Sequence, residues 1–261
     1  KTIRNEIKTP EEAFALLRDM RKKADIYMAL RSPEDEMWRT QPDVSNNLNL
    51  LKLFNVIQPI PLLMSAYSNL TEKDFLSLLA KIVIISFRYN VICGKNPNEL
   101  ESVYNKVALD INKTKSYRIE ELKAGIYVTD AEFEQTFAYK EFVYSSRNNQ
   151  IAKYILGKIE KFESGASVDV TSSTLEHILP DNPNEDWNWN DVKIQQFHYR
   201  LGNMTLLEAG KNRDLGNASF SEKKAIYKKS TVPMTLEIGN SDLEEWTESC
   251  IDNRQKKMAN E

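Results

Sequence analysis

The residues with the clearest chemical character lie in three short segments between positions 174 and 217. They read T-L-E-H-I-L-P at 174–180, L-G-N-M-T-L-L at 201–207 and K-N-R-D-L-G-N at 211–217. The first contains His177, one of only two histidines in the chain. Histidine has an unperturbed pKa near neutrality and can take a proton from water as a general base. Together the segments predict metal-assisted hydrolysis of a phosphodiester.

Two asparagines supply further groups that this chemistry needs. The side-chain carbonyl of Asn212 is a neutral oxygen donor, and Mg²⁺ prefers oxygen ligands while keeping several waters. One divalent cation, Mg²⁺ or Mn²⁺, would offset negative charge in the transition state. Asn203 can donate and accept hydrogen bonds at once, which would order the loop that carries the base. The sequence therefore predicts His177 and Asn203 as catalytic residues and Asn212 as a metal ligand.

Each of these residues also has a purely structural interpretation. A histidine between a glutamate and aliphatic residues is usually a half-buried strand residue, and a lone asparagine is usually a turn residue. Glu176 is a candidate second metal ligand. Adjacent strand side chains face opposite sides of a sheet, so Glu176 and His177 share one site only where the strand is distorted or ends. Pro180 favours such a distortion, and an exposed strand carboxylate is the alternative.

Basic residues are concentrated around and after the third segment. The candidates for contact with DNA are Lys211, Arg213, Lys223, Lys224 and Lys228. On a helix, Lys224 and Lys228 share one face as i and i+4 positions. Such a stripe would hold a phosphate backbone and make binding depend strongly on salt. A solvated helix face explains the same residues equally well, and His198 is interpreted as structural.

The bulk composition limits the remaining possibilities. The net charge of −3 gives no global nucleic-acid signature, so any contact with DNA must come from a local basic patch. The two cysteines, Cys93 and Cys250, belong to no Cys/His cluster, which excludes a zinc knuckle and is typical of a reducing, cytoplasmic protein. The longest apolar stretch, 75–87, is broken by Lys81 and is too short to span a bilayer. We expect no membrane contact.

Helical patterns dominate the first 165 residues and must support these segments. The predicted helices cover 11–28, 48–67 with a break at Pro59 and Pro61, 71–89, 97–111, 130–144 and 149–162. Thr71 is the predicted cap of the third, and Pro10 the predicted start of the first. The composition changes across 165–173, which predicts a helical spacer domain at 1–165 and a second domain at 166–261.

The second domain combines short strands with helices. The predicted strands are 174–179 and 204–207, followed by a helix over 219–229. Ser241 and Glu244 form a predicted capping box for a last helix that ends near residue 258. The predicted fold class is therefore α+β and mostly helical.

These segments resemble the C-terminal HNH-type domain of the GmrSD-like, modification-dependent restriction endonucleases. The matching pieces are E-H-I-L-P at 176–180, R-L-G-N-M-T-L-L at 200–207, N-R-D-L-G-N at 212–217, F-S-E-K-K-A-I-Y-K-K-S at 220–230 and W-T-E-S-C-I-D-N-R at 246–254. The preceding Y-I-L-G-K-I-E at 154–160 is similar to the spacer before that domain. Met204 replaces the usual leucine, a swap with little effect on packing.

The resemblance implies a ββα-metal (His-Me finger) arrangement that holds one divalent cation. Carried over by position, His177 would be the general base, Asn203 the loop-ordering amide, Asn212 a metal ligand and Glu176 a second one. The substrate would be DNA, in this family modified phage DNA. Full-length relatives also carry an N-terminal nucleotide-binding domain with a D-G-Q-Q-R-type motif, which this sequence does not contain. Because the chain begins at Lys1 without a methionine, we expect it to be a piece of a longer protein.

Three functions are compatible with these features. The first is a divalent-metal-dependent DNA endonuclease or nicking domain of a phage-defence protein. The second is a catalytically silent helical interaction or DNA-binding module that keeps the hairpin as a scaffold. The third is a ribonuclease on the same framework, because the motif attacks a phosphodiester and does not itself choose the sugar.

Overall fold

The computed structural model describes residues 7–165, 169, 171–213 and 215–261, and within them the side chains of all but residues 121, 123 and 124. The chain is mostly helical with a small two-stranded antiparallel sheet, which confirms the predicted α+β class. It divides into two compact units, Lys1–Val128 and Thr129–Glu261.

The first unit is helical. Its helices are α1 (Pro10–Arg31), α2 (Pro42–Phe54), α3 (Ile60–Asn69), α4 (Glu72–Ser86), α5 (Pro97–Thr114) and α6 (Ile119–Ile126). Helix α3 lies against α1, α4 and α5. Two predictions are confirmed here: Thr71 caps α4 by accepting a hydrogen bond from the Asp74 amide, and the chain breaks between α2 and α3 before Pro61.

Helix α4 continues as a π-helical segment, Phe87–Ile92. The combined helix Glu72–Ile92 is long and apolar enough to cross a membrane by length and composition, with mean hydropathy 1.7, and half of that window is buried inside the protein. This helix is longer than the apolar stretch at 75–87, which we predicted to be too short to span a bilayer. Buried core helices of soluble proteins pass the same test, and Leu78, Leu79 and Ile82 are fully enclosed.

The second unit contains the hairpin. Its helices are α7 (Asp130–Phe137), α8 (Ser146–Ser164), α9 (Asp191–Phe197), α10 (Ala209–Asn212), α11 (Phe220–Tyr227), α12 (Pro233–Asn240) and α13 (Glu248–Asn260). Strands β1 (Ser173–His177) and β2 (Met204–Glu208) pair antiparallel, with Ser173 opposite Glu208 and His177 opposite Met204. Both strands lie close to their predicted positions.

The hairpin is anchored by a continuous apolar core. Apolar residues that follow β1, lie on β2 or come from the later helices form one buried cluster, which includes Ile178, Leu179, Leu207, Tyr227, Trp246 and Ile251. Burial of this kind contributes about 25 cal/mol per Å² of apolar surface. The side chains at the end of β1 are therefore held on a rigid support.

The compact unit that carries the hairpin begins earlier than the predicted domain boundary. The predicted start, residue 166, lies outside the described residues. Helices α7 and α8 belong to the same unit as the hairpin, and α8 packs against both strands. The composition change near residue 165 therefore falls inside this compact unit.

The predicted capping box at Ser241 and Glu244 is wrong. Ser241 follows the end of α12, where its amide donates to the Ile238 carbonyl. The last helix begins at Glu248, and Thr247 caps it by accepting from the Cys250 amide. A capping box does form between Ser219 and Glu222. It lies at the start of α11, within the predicted helix at 219–229.

Candidate active site

The end of strand β1 places Glu176 and His177 in different surroundings. The Glu176 side chain points into the core, where the residue is 5% exposed. The His177 ring stacks on the ring of His198, with centroids 4.4 Å apart and planes 14° from parallel. Tyr199 stands edge-on to both rings. The Glu176 carboxylate and the His177 ring thus contact different groups, although both residues line one cavity at the end of the strand.

His177 is held as a neutral imidazole. Burial, the nearby His198 and the charge of Lys223 lower the pKa of His177 to about 3. The pKa therefore differs from the near-neutral value of free histidine, and the ring is uncharged at physiological pH. Its Nε2 is buried and has no hydrogen-bond partner among the described residues. A buried polar atom without a partner usually marks a place for water, an ion or a ligand.

Asn203 ties the segment after β1 to the start of β2. Its Oδ1 accepts hydrogen bonds from the Leu179 amide (2.8 Å) and from the Trp246 indole (3.0 Å). Its Nδ2 donates to the carbonyls of Leu179 and His198, each at 3.0 Å. The side chain is fully buried. Both polar atoms of its amide therefore bind inside the protein and tie together the segments that they contact.

Asn212 closes the other side of the site. Its Nδ2 donates to the Thr174 hydroxyl (2.8 Å) and to the Leu175 carbonyl (3.2 Å), so helix α10 is pinned to strand β1. The Oδ1 atom accepts no hydrogen bond from the described residues. This orientation fixes the amide plane and leaves the oxygen available to a ligand.

Glu176 takes part in a buried ion pair. Lys223 on α11 donates from Nζ to Glu176 Oε1 at 2.7 Å and to the His177 carbonyl at 2.8 Å. The Tyr227 hydroxyl donates to the same carboxylate oxygen at 2.8 Å. Burial raises the pKa of Glu176 and lowers the pKa of Lys223, and their ion pair opposes both shifts. Both of these hydrogen bonds to the carboxylate end on Oε1.

His177, Asn212 and Glu176 line one cavity of about 560 Å³. The imidazole and the carboxamide, which are far apart in the sequence, therefore face the same space. Its other walls come from the loops around β1, α8, α9 and α10, and include Tyr144, Asn149, Asp181, His198, Tyr199, Arg213 and Asn217. Asn203 lies behind this wall rather than in it.

The predicted DNA-contact residues differ in their exposure and in their hydrogen-bond partners. Lys223 is 1% exposed and is bound to Glu176, so it does not face solvent. Lys211 is engaged by Glu208 and by the Lys229 carbonyl, and Lys224 by the carbonyls of Ser241 and Leu243. Arg213 and Lys228 are exposed, and Arg213 also lines the cavity.

The residues present fit a cation with few protein ligands. The described part of the chain has no group of three or more His, Cys, Asp or Glu side chains that could hold a metal ion. Asn212 and Glu176 supply side-chain oxygens at the cavity, and Nε2 of His177 has no hydrogen-bond partner among the described residues. Mg²⁺ commonly keeps several waters and binds through one or two protein oxygens. The set suits such a hydrated cation and not a zinc site with four protein ligands.

His198 is the site residue that the sequence analysis missed. It was interpreted as structural, yet its ring forms part of the cavity wall and lies against the predicted base. Its nearness to Asn203 in the sequence was the available signal. The contact with His177 depends on how α9 folds back beside β1, which no local pattern predicts.

The fold and cavity together define a helical α+β domain in which a strand of a short hairpin presents an imidazole, and the helix after the hairpin a carboxamide, to one cavity. The family model for the C-terminal domain of GmrSD restriction endonucleases matches residues 127–261, and the chain belongs to this family. Its function is therefore of the restriction-endonuclease type, a nuclease and hydrolase with DNA as the implied substrate. No match is found among curated proteins.

Proposed function

We propose that this chain is an HNH-type, divalent-metal-dependent DNA endonuclease in which His177 is the general base. The observation that carries the proposal is that His177 and Asn212 line one cavity. Neutral imidazole is the form that accepts a proton, and burial keeps His177 in that form. A phosphodiester in the cavity would bring negative charge close to the ring and would favour the imidazolium that follows proton transfer.

Asn212 and Glu176 would hold the cation, Mg²⁺ or Mn²⁺. When bound, the ion would offset charge on the transition state and on the leaving oxygen. Asn212 contributes its Oδ1, because Nδ2 is already committed to strand β1. Glu176 would contribute Oε2, while Lys223 and Tyr227 hold Oε1. Because Lys223 already balances the charge of Glu176, we expect modest affinity for the cation.

Arg213 is the basic residue best placed to bind the DNA backbone at this site. It is exposed and lines the same cavity as His177 and Asn212. Lys228 would add a more distant phosphate contact. With few cationic contacts and a net charge of −3, the domain alone would bind DNA weakly. Recognition of modified phage DNA would then depend on an N-terminal nucleotide-binding domain elsewhere in the protein, and the location would be cytoplasmic.

The test is cleavage of supercoiled plasmid by the purified chain in Mg²⁺ or Mn²⁺. We expect wild type to nick or linearise the plasmid, while His177→Ala and Asn212→Ala lose at least 100-fold in rate, as removal of a base or a metal ligand usually does. Asn253→Ala is the matched control, because Asn253 is exposed and does not line this cavity. Equal cleavage by wild type and His177→Ala would contradict the proposal.

Binding of the cation is a separate measurement that does not need cleavage. Titration with Mn²⁺, followed by calorimetry or by the paramagnetic effect on water relaxation, should show one site in wild type and a weaker one in Asn212→Ala. Parallel assays on RNA of the same sequence test the ribonuclease alternative. Intact plasmid together with an unchanged Mn²⁺ titration in Asn212→Ala would favour the silent module.

A further inference from the structure

The rings of His177 and His198 form a stacked pair at the wall of the cavity. Their centroids are 4.4 Å apart, their planes are 14° from parallel, and Tyr199 packs edge-on against both. The His177 side chain itself makes no hydrogen bond to the described residues, and its Nε2 is buried. Ring packing is therefore the interaction that sets the orientation of this imidazole in the described part of the chain.

The ring of His198 is fixed much more firmly. Its Nδ1 lies 3.1 Å from the Leu179 carbonyl, and because a carbonyl oxygen only accepts, Nδ1 carries the hydrogen. Its backbone amide donates to the Ile194 carbonyl at the end of α9, and its own carbonyl accepts from Asn203 Nδ2. The residue is 5% exposed. The orientation of His198 is thus determined by Asn203 and Leu179 together.

We propose that His198 is a positioning residue for His177: its ring, tied to Leu179 and Asn203, holds the His177 imidazole in the plane that faces the cavity. The inference rests on the proposed function of His177 and adds a residue to it. Asn203 then affects the orientation of His177 indirectly. It binds both the loop after β1, at Leu179, and the backbone of His198. Loss of the stack would leave His177 free to rotate about its side-chain torsions. Displacement by about 1 Å can cost roughly 100-fold in rate.

Two variants separate the ring from its hydrogen bond. His198→Asn keeps a donor in the place of Nδ1 and removes the stacking ring. His198→Phe keeps a flat ring and removes the donor. Gln195→Asn is the control, because Gln195 is exposed on α9, the helix that ends directly before His198. Circular dichroism and thermal unfolding would establish that each variant is folded, and nicking kinetics would give kcat and KM for plasmid.

Nuclear magnetic resonance of the imidazole rings gives a readout that does not depend on activity. The chain has two histidines, so His177→Ala assigns both sets of ring signals. We expect cross-relaxation between the two rings in wild type, and a displaced, broadened His177 signal in His198→Asn. We expect kcat of His198→Asn to fall by about 10- to 100-fold with KM nearly unchanged, and His198→Phe to keep more of the activity.

The outcomes distinguish this inference from the function on which it rests. If His177→Ala abolishes cleavage while folded His198→Asn keeps the wild-type kcat and an unmoved His177 signal, the positioning role is overturned and the nuclease proposal stands. If His177→Ala cleaves like wild type, the proposed function fails. The His177 signal in His198→Asn then decides whether the stack orients the ring: a displaced signal supports it, and an unmoved one overturns it.

Discussion

At the scale of single residues, the ion pair between Lys223 and Glu176 determines how the end of β1 is held. Lys223 also donates to the His177 carbonyl, so one ammonium group fixes the side chain of one site residue and the backbone of the next. Both charges are almost fully enclosed. A pair of this kind adds little net stability compared with apolar residues, but each charge depends strongly on the other.

Lys223→Met should therefore destabilise the second unit strongly. It leaves the Glu176 carboxylate buried without its cationic partner, and loss of one partner of a buried pair costs about 3–5 kcal/mol. Adding Glu176→Gln in the same chain should recover a large part of this loss, because the unpaired charge is gone. Urea denaturation of both single variants and the double variant measures the coupling. Additive losses in the double variant would contradict the argument.

The sequence predicted residue types better than it predicted their surroundings. His177, Asn203 and Asn212 could be chosen because their chemistry suits the reaction and their motifs recur together. The burial of Lys223 could not be predicted, because two adjacent lysines on a helix are typical of a solvent-exposed face. Its enclosure follows from the packing of α11 against β1. His198 was missed for the same reason, because its contact with His177 is tertiary.

At the scale of elements, the turn that precedes β2 depends on a close approach by helix α13. Gly202 lies in this turn, and a Cβ atom placed there would overlap the Ile251 carbonyl oxygen and lie 2.9 Å from Gln255 Cβ. Gln255 accepts from the Gly202 amide at 3.0 Å, which locks the two elements together. The glycine before Asn203 in the L-G-N motif is thus required by packing.

Gly202→Ala should cost about 3 kcal/mol, at the upper end of overpacking effects, because the overlap is with backbone. It should also weaken cleavage, since it displaces Asn203. Gly210→Ala is the matched control: no atom lies within 4 Å of the added Cβ, and alanine favours the helix. Thermal unfolding compares the two variants. Equal melting temperatures would show that α13 can move away without cost.

The end of β2 is held by a carboxylate whose contribution depends on pH. Glu208 Oε1 accepts from Lys211 Nζ (2.7 Å), the Thr231 amide (2.7 Å) and the Thr231 hydroxyl (2.8 Å). Although partial burial opposes it, these hydrogen bonds lower the pKa of Glu208 to about 2. A group whose folded-state pKa is depressed stabilises the fold above its unfolded pKa and loses that effect as the pH falls.

Glu208→Gln should therefore destabilise the protein by about 1.5–3 kcal/mol at pH 7, the usual range for hydrogen bonds to a charged group. The difference from wild type should shrink between about pH 4.5 and pH 2, as the carboxylate becomes protonated in wild type. Urea midpoints at several pH values measure it. A difference that stays constant down to pH 2 would show that the charge of Glu208 contributes nothing.

At the scale of the whole molecule, the matched family region and the second compact unit coincide closely. The family model covers residues 127–261, and the unit covers Thr129–Glu261. Helices α7 and α8 therefore lie inside both the matched region and the second compact unit. Composition alone cannot show which elements share a core, so the composition change near residue 165 does not by itself mark the limit of a compact unit.

The hydrogen bonds inside the second unit show what α7 and α8 contribute. Gln255 Nε2 donates to the carbonyls of Phe137 and Lys140, and Arg200 donates to the Ala138 carbonyl. Glu160 accepts from the Met234 amide at the start of α12. The bond from Gln255 to Lys140 is partly buried and the other three are buried. All four join the first forty residues of the unit to the segments on which the site is built. Removing residues 129–165 would take away these hydrogen-bond partners of Gln255, Arg200 and Met234.

We therefore expect residues 129–261 to fold alone and residues 166–261 to fail. The longer piece keeps the apolar face of α8 against both strands. The shorter one exposes that surface, removes both acceptors of Gln255 Nε2 and takes the Ala138 carbonyl away from Arg200, which keeps Gln255 and Asp252 as acceptors. An unpaired buried group costs about 1–3 kcal/mol, and the lost apolar burial adds to it, so the total becomes comparable to the small net stability of a domain. Circular dichroism and the dispersion of amide signals distinguish the two pieces. A cooperatively folded 166–261 piece would show that the hairpin and the later helices form a domain without α7 and α8.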